Sequence, residues 1–184
     1  MRDIQPVQTE PPVHEIRVLA TEFLPGLWLS GEDGLDECLF GEQAAQILIS
    51  TGRLPKEVHP QVDVWIDFRN DNLGSNRRVI APASVTTVRF PLRDGDLAAA
   101  RSVFPAAKML VDHFRKQDRR ILVSCHAGFS RSAAFALWIM TEKMGYETAC
   151  EQLARLRPYA NPQHRFAPLL EEMKAGRFPN GTPG

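Results

Sequence analysis

Short apolar runs separated by turn signals mark the predicted strands of this chain. Residues 16–19 (IRVL) and 26–29 (GLWL) are mostly apolar and are separated by the turn signal Pro-Gly at 25–26, which indicates two strands joined by a turn. Between residues 62 and 68, Val, Val, Ile and Phe alternate with Asp, Trp and Asp, as in a strand with one more apolar face. Residues 85–90 and the apolar run at 121–123 predict two further strands.

Apolar residues at three-to-four spacing predict helices between and after these strands. One stripe covers residues 103–114 and contains Pro105, which we place in the first turn, where its missing N–H costs little. Further helices are predicted at residues 42–51, 132–144, 148–156 and from 161 onward. The last of them opens with an Asn-Pro pair, a capping side chain followed by proline. This order of strands and helices predicts one α/β domain.

The length of the chain sets the size of that domain. A chain of 184 residues, of which 43% are hydrophobic, can bury roughly 70% of its unfolded surface without help from disulfides or metals. We place the domain at residues 14–177. A flexible arm at residues 1–13, which holds three prolines, precedes it, and a frayed tail at 178–184 follows it.

Charge and cysteine content narrow the function classes. Because 22 basic side chains balance 22 acidic ones, no net field attracts nucleic acid or an anionic membrane, and an anion site has to be local. Three cysteines do not make a disulfide framework, and no metal-ligand spacing occurs, so we predict neither metal nor cofactor. The longest apolar run, residues 133–140, is far shorter than the ~20 residues that span a bilayer. We therefore expect a cytoplasmic monomer with neither nucleic acid nor membrane as a partner.

One segment, residues 121–134 (ILVSCHAGFSRSAA), carries the candidate chemistry. Cys125 leaves the C-terminal end of a predicted strand, where α/β folds place their sites. A loop that curls back to a helix N-terminus points N–H groups inward, which binds an oxyanion and stabilises a thiolate, and Gly128 supplies the freedom for that curve. Arg131 can bind two phosphoryl oxygens at once, and Ser132 can donate its hydroxyl to the sulfur.

This loop resembles the signature of the cysteine-dependent protein tyrosine phosphatase superfamily: Cys, five residues, Arg, then Ser or Thr. Residues 125–132 are most similar to the dual-specificity branch, whose pattern is C-x-A-G-x-S-R-S. The resemblance implies a central, mostly parallel sheet flanked by helices. It also implies that Cys125 is the nucleophile, with Arg131 and Ser132 as catalytic partners. The substrate phosphate is then bound by the loop residues His126, Ala127, Gly128, Phe129 and Ser130.

The resemblance extends to other segments. Residues 90–94 (FPLRD) look like the family's stretch before its general acid, which makes Asp94 the candidate acid and Asp96 its competitor. Residues 27–29 resemble the opening strand, and residues 157–162 (RPYANP) resemble the R-P-x-x-x-P stretch before the final helix. The implied reaction is phosphomonoester hydrolysis through a cysteinyl-phosphate, without a metal. The implied substrate is a phosphorylated protein or small phosphoester, phosphotyrosine first, then phosphoserine and phosphothreonine.

Some positions depart from the family pattern or allow only weak predictions. The family usually has a histidine directly before the nucleophile, and here that position is Ser124. We expect His126 to face solvent, and Asp67 and Asp71 to lie in a solvated turn. In the family, a second cysteine can protect the nucleophile as a reversible disulfide, a role open here to Cys38 and Cys150, although buried inert thiols are the default interpretation.

Three alternative functions stay open at this stage. A phosphatase for phosphoinositides, nucleotides or RNA 5′ ends is one, although such polyanionic substrates favour lysines in the loop and residues 126–130 contain none. A rhodanese-type sulfurtransferase is another, but its cysteine loop is typically shorter and lacks the match at Asp94. A catalytically silent phosphate-binding module is the third, and the intact Cys, Arg and Asp argue against it.

Overall fold

The computed structural model describes residues 20–53, 55–70 and 79–179, which form an α/β fold. Its five-stranded sheet has the order β1-β2-β5-β3-β4; β1 is antiparallel to β2, and the other neighbours are parallel. The strands are β1 (Thr21–Leu24), β2 (Leu27–Ser30), β3 (Val64–Asp67), β4 (Thr86–Arg89) and β5 (Ile121–Ser124). The helices are α1 (Leu35–Phe40), α2 (Glu42–Thr51), α3 (Leu97–Arg115), α4 (Arg131–Met144), α5 (Tyr146–Leu156) and α6 (Gln163–Lys174), with a 3-10 turn at Glu32–Gly34. A mostly parallel sheet flanked by helices confirms the predicted fold class.

The sheet separates two hydrophobic clusters. Because side chains alternate between the faces of a strand, Ile121 and Val123 of β5 belong to one cluster and Leu122 to the other. The larger cluster contains side chains of α3, α4, α5 and α6, among them Phe104, whose ring centroid lies 5.6 Å from that of Phe68. The smaller cluster contains side chains of α1 and α2.

The ends of three parallel strands meet at one edge of the sheet. Ser124, the last residue of β5, pairs in register with Ser30 of β2 and with Asp67 of β3. Strand β5 is buried along its whole length because both faces of the sheet are covered. Cys125 therefore leaves the sheet at the edge where parallel α/β sheets bind their ligands.

Helix α3 begins earlier than the apolar stripe predicts. The Asp96 carboxylate accepts a hydrogen bond from the Ala99 N–H at 2.9 Å and caps the helix, and the alanine-rich first turn favours helix. Pro105 consequently lies inside the helix, so its predicted place in the first turn is wrong. The buried residues Phe104 and Ala107 on either side of it pack into the larger cluster, and this packing offsets the missing backbone hydrogen bond.

The ends of the chain differ in part from the prediction. Strand β1 was not expected, while the predicted strand at 16–19 and the predicted arm at 1–13 lie outside the described residues. Phe178 is buried, and its ring centroid lies 4.8 Å from that of Trp138, so the frayed tail predicted from residue 178 is wrong at this position. Among the helices of the described ranges, none combines the length and apolar character needed to cross a bilayer.

Candidate active site

The loop that joins β5 to α4 holds the candidate nucleophile. Cys125 follows β5 directly and is 1% exposed. Ser132, the second residue of α4, donates its hydroxyl to the Cys125 sulfur at 3.1 Å. The end of the strand and the start of the helix therefore bring the thiol and the hydroxyl into direct contact.

Two glycines allow this loop to pack backbone to backbone against the end of β2. Gly128 has a φ of +65°, and a Cβ built there would lie 2.6 Å from the Gly31 nitrogen. A Cβ built on Gly31 would lie 2.5 Å from the carbonyl carbon of Ala127. Because these close contacts are with backbone atoms that cannot rotate away, both positions require glycine.

Arg131 is anchored through one guanidinium nitrogen and leaves another without a hydrogen bond. Its Nη1 donates to the carbonyl oxygens of Phe68 at 3.2 Å and Leu92 at 3.0 Å. Its Nε is buried and has no hydrogen-bond partner, and the nearest carboxylate oxygen, on Asp94, forms an ion pair with it at 3.6 Å. Since a buried donor without a partner is costly, an anion bound at Nε would be strongly stabilised.

The two candidate acids occupy different environments. The Asp94 carboxylate is 33% exposed and lies between Arg131 and Arg165, whose Nε atoms are 3.6 and 3.8 Å from its oxygens. The Asp96 carboxylate caps α3 instead. Asp94 is thus the one that faces the loop, and its role as general acid stays a prediction.

His126 does not face solvent, contrary to the expectation. Its Nδ1 lies 2.9 Å from Glu32 Oε1, its Nε2 lies 3.5 Å from the Asn70 carbonyl oxygen, and its side chain is 21% exposed. The Glu32 N–H also donates to the His126 carbonyl oxygen at 2.7 Å. Glu32 was not predicted as a site residue, because no local sequence pattern indicates a contact between residues so far apart in the chain.

The remaining loop residues differ in exposure. Ala127 is exposed, and Ser130 is buried with a hydroxyl that has no hydrogen-bond partner. Phe129 is half-buried, its carbonyl oxygen accepts from the Asn161 N–H at 2.8 Å, and its ring centroid lies 6.4 Å from that of His164. Their part in binding a substrate stays a prediction.

Asp67 lies in a buried ion pair and not in a solvated turn, so that expectation is wrong. Its carboxylate is fully buried and accepts from Arg69 Nε at 2.9 Å and Nη2 at 3.0 Å. The Arg69 guanidinium stacks over the Trp65 ring, 4.9 Å from its centroid. The alternation at residues 62–68 places Asp67 in a strand, but it does not identify the partner of its carboxylate. Asp71, expected in the same turn, lies outside the described residues.

Ser124 and Arg157 make buried hydrogen bonds near the ends of the strands that adjoin the loop. The Ser124 hydroxyl oxygen, at the position before the nucleophile, accepts from the Trp65 indole N–H at 2.8 Å. Arg157 donates to the Leu29 carbonyl oxygen at 3.1 Å, and burial lowers the pKa of its guanidinium, an effect opposed by the charge of Cys125. The sequence identified residues 157–162 by resemblance but did not predict this contact.

The other two cysteines are separate from Cys125. All three are free. Cys38 packs in the smaller cluster, across the sheet from Cys125, and burial together with the charge of Glu37 raises the pKa of its thiol to about 12. Burial also raises the pKa of the Cys150 thiol on α5, against the effect of its hydrogen bond with Tyr146. Both thiols are therefore poor nucleophiles at neutral pH.

The groups gathered at this edge define the chemistry that the site can do. In the described part of the chain, no three His, Cys, Asp or Glu side chains group as metal ligands. A buried thiol, a guanidinium with an unpartnered donor and a partly exposed carboxylate are present instead. They can act as nucleophile, anion-binding group and proton donor.

Comparisons with known proteins agree with this geometry. Residues 53–175 match the family model of the dual specificity phosphatase catalytic domain. The structure of human tyrosine phosphatase-like serine/threonine/tyrosine-interacting protein is similar, with a TM-score of 0.64 at 23% identity over 85% of this chain and 95% of that chain. The structure of human DUSP28 shares the fold, with a TM-score of 0.60 at 18% identity over 91% of this chain and 96% of that chain. The structure of DUSP15 does so with a TM-score of 0.62 at 20% identity over 84% of this chain and 86% of that chain. No curated protein matches this chain in sequence.

The close packing of the loop predicts a specific effect of Gly128→Ala. The new Cβ would collide with the Gly31 nitrogen, so we expect a loss of about 1–3 kcal/mol in the free energy of unfolding, together with weaker binding of inorganic phosphate. Gly52→Ala is the matched control, because Gly52 also has positive φ (+69°) but nothing within 4 Å of its Cβ, so only the backbone term of about 1 kcal/mol applies. Chemical denaturation and calorimetry measure both effects; equal phosphate affinity in the two variants would contradict the packing argument.

Proposed function

This chain belongs to the dual specificity phosphatase family and is a phosphatase of the protein tyrosine and dual-specificity type, and we propose that Cys125, Arg131, Asp94 and Ser132 carry out its reaction. The reaction is hydrolysis of a phosphomonoester through a cysteinyl-phosphate. The environment of Arg131 is the observation that supports these roles most. Its guanidinium is buried, its Nε lacks a hydrogen bond, and Asp94 lies beside it. The next residue in the chain is Ser132, whose hydroxyl contacts the Cys125 sulfur.

In the first step the Cys125 thiolate attacks phosphorus. The S–P bond forms while the P–O bond to the leaving group breaks, and Asp94 gives its proton to that departing oxygen. The loop amides and Arg131 bind the phosphoryl oxygens, with the planar guanidinium contacting two of them. Because Nη1 is already held by two carbonyl oxygens, the orientation of the guanidinium is set before the substrate arrives.

In the second step a water molecule cleaves the intermediate. Asp94, now a carboxylate, takes a proton from the water, whose oxygen attacks phosphorus as the S–P bond breaks. Ser132 donates its hydroxyl to the departing sulfur, a role supported by the 3.1 Å contact. Inorganic phosphate leaves, and the thiolate is restored.

Protein phosphotyrosine is the substrate that we propose, with phosphoserine and phosphothreonine as further substrates. The loop interior carries no lysine, which polyanionic substrates such as phosphoinositides favour. Phe129 and His164 present two aromatic side chains beside the loop, and such rings pack well against a phenyl ring. Family membership does not favour the non-protein substrates or a sulfurtransferase.

We also propose that the protein works as a cytoplasmic monomer. The mechanism needs a reduced thiol, which the cytoplasm maintains, and the three cysteines are free. The large apolar side chains exposed in the described residues are few, namely Ile47, Ile49, Ile80, Met109 and Tyr159. The balanced charge supports the absence of nucleic acid as a structural partner.

The nucleophile is tested by Cys125→Ser. A serine hydroxyl is a far weaker nucleophile at neutral pH, so we expect no turnover of a phosphotyrosine peptide, while calorimetry still detects phosphate binding by the unchanged loop and Arg131. Cys150→Ser is the matched control, since that thiol lies on α5 away from the loop, and it should retain full activity. Turnover by Cys125→Ser near the wild-type rate would rule out the cysteinyl-phosphate.

The general acid is tested by varying the leaving group. Asp94→Asn should lose about 10²–10⁴-fold in kcat/KM on a phosphotyrosine peptide, but much less on an aryl phosphate whose acidic phenol leaves as an anion. Asp96→Asn is the control, because an asparagine oxygen can still cap α3, and its effect should be small and the same for both substrates. A leaving-group dependence in Asp96→Asn, and none in Asp94→Asn, would reverse the assignment.

A further inference from the structure

Glu32 lies outside the phosphate-binding loop, in the 3-10 turn that follows β2, yet it contacts the loop twice. We infer that Glu32 is a positioning residue of the reaction, which acts through His126 to hold the loop in its phosphate-binding shape; this inference rests on the function proposed above. Three sets of contacts support this role: those of Glu32 with the loop, that of Glu32 with Arg69 just after β3, and that of His126 with Asn70.

The first set joins Glu32 to His126, the residue after the nucleophile. The Glu32 N–H donates to the His126 carbonyl oxygen at 2.7 Å, and the Glu32 carboxylate lies 2.9 Å from His126 Nδ1. One residue therefore holds both the backbone and the side chain of His126. Two contacts of this kind limit rotation of the peptide that begins the loop, directly beside Cys125.

The second set anchors the Glu32 carboxylate itself. Its Oε1, which faces His126, also accepts from Arg69 Nη1 at 3.4 Å. Arg69 is 5% exposed and is held in turn by the buried carboxylate of Asp67 at the end of β3. A charge anchored by buried groups in this way moves less than an exposed ion pair, so it can act as a fixed support for the imidazole.

The third set lies on the far side of the imidazole. His126 Nε2 is 3.5 Å from the carbonyl oxygen of Asn70, in the segment after β3. The ring thus bridges the turn after β2 and the segment after β3, with the loop between them. The Gly31 and Gly128 backbones are packed beside this bridge, so a shift of the loop would break the bridge and the glycine contact together.

Loss of the bridge should act on the rate more than on the fold. Cys125 must lie in line with the leaving oxygen while the loop contacts the phosphoryl oxygens, and a displacement of about 1 Å can cost about 100-fold in rate. Contacts that keep this geometry stabilise the transition state more than the bound substrate, so their loss lowers kcat more than it raises KM.

The test compares five variants in kcat and KM on a phosphotyrosine peptide: Glu32→Ala, Glu32→Gln, His126→Ala, the double variant with both alanines, and Glu42→Ala. We expect Glu32→Ala to lower kcat by about 10- to 100-fold. Glu32→Gln keeps an oxygen that accepts from Nδ1 and should remain within about threefold of wild type. Glu42, exposed at the start of α2, is the matched control and should have no effect.

The double variant distinguishes action through His126 from an independent effect. If Glu32 acts through His126, the double variant loses no more than the more damaged single variant, because the two substitutions break one bridge. A fold-loss in kcat for the double variant equal to the product of the two single-variant losses would overturn the inference. So would a kcat of Glu32→Ala within about twofold of the Glu42→Ala control. Should Glu32→Ala not fold, Glu32→Met, which fills the space without an acceptor, takes its place under the same criteria.

The wild-type protein separates failure of this inference from failure of the proposed function. A wild-type chain that hydrolyses the peptide, with Cys125→Ser inactive, keeps the proposed function whatever Glu32 does. A lower melting temperature of Glu32→Ala with unchanged kcat would show a purely structural role and overturn the inference alone. A fall in kcat larger than the rise in KM, at unchanged melting temperature, supports it.

Discussion

The packing of the loop after β5 against the backbone at the end of β2 is the constraint on which this active site depends. Gly31 and Gly128 approach so closely that neither position can carry a Cβ. The parallel register aligns Ser30, Ser124 and Asp67, so the C-terminal ends of three strands form the edge of the sheet next to the loop. This packing holds the Cys125 sulfur, the start of α4 and Arg131 close together, so the proposed reaction would need no large rearrangement of them.

Buried charged side chains surround this arrangement and make directed hydrogen bonds to the backbone and to one another. Arg131 and Arg157 donate to backbone carbonyl oxygens, while Asp67 and Arg69 pair with each other. Buried ion pairs contribute little net stability, since desolvation offsets their attraction, but removal of one partner is costly. The large apolar cluster around Phe104 supplies the stability that allows such groups to be buried here. Asp94, at the exposed edge of the site, is the most accessible of the proposed catalytic groups.

Local patterns predicted much of the fold and the main loop, and long-range contacts account for the rest. Residues 121–134 contain the strand, the small-residue loop and the start of the apolar helix without interruption. The sequence alone therefore predicted that Cys125, Arg131 and Ser132 lie close together. The place of Pro105 was misjudged because tertiary burial outweighs helix propensity. His126 was expected in solvent because its partner Glu32 lies far away in the chain, where no spacing rule connects them. Asp67 lies only two residues from its partner Arg69, but the strand pattern does not show that both side chains are buried. The resemblance of residues 90–94 favoured Asp94 over Asp96 as the acid, but sequence does not give what either carboxylate contacts.

Trapping of the reaction intermediate shows whether the Cys125 sulfur becomes bonded to phosphorus. An aryl phosphate with an acidic phenol can phosphorylate the enzyme without a proton donor, whereas hydrolysis of the intermediate still needs the base, so Asp94→Asn should accumulate the cysteinyl-phosphate. The reaction is quenched, the protein is digested, and the peptide that contains Cys125 is analysed by mass spectrometry. We expect one phosphoryl group on Cys125, formed at the rate of the phenol burst and absent in Cys125→Ser. Steady turnover with an unmodified Cys125, or a phosphoryl group on another side chain, would contradict it.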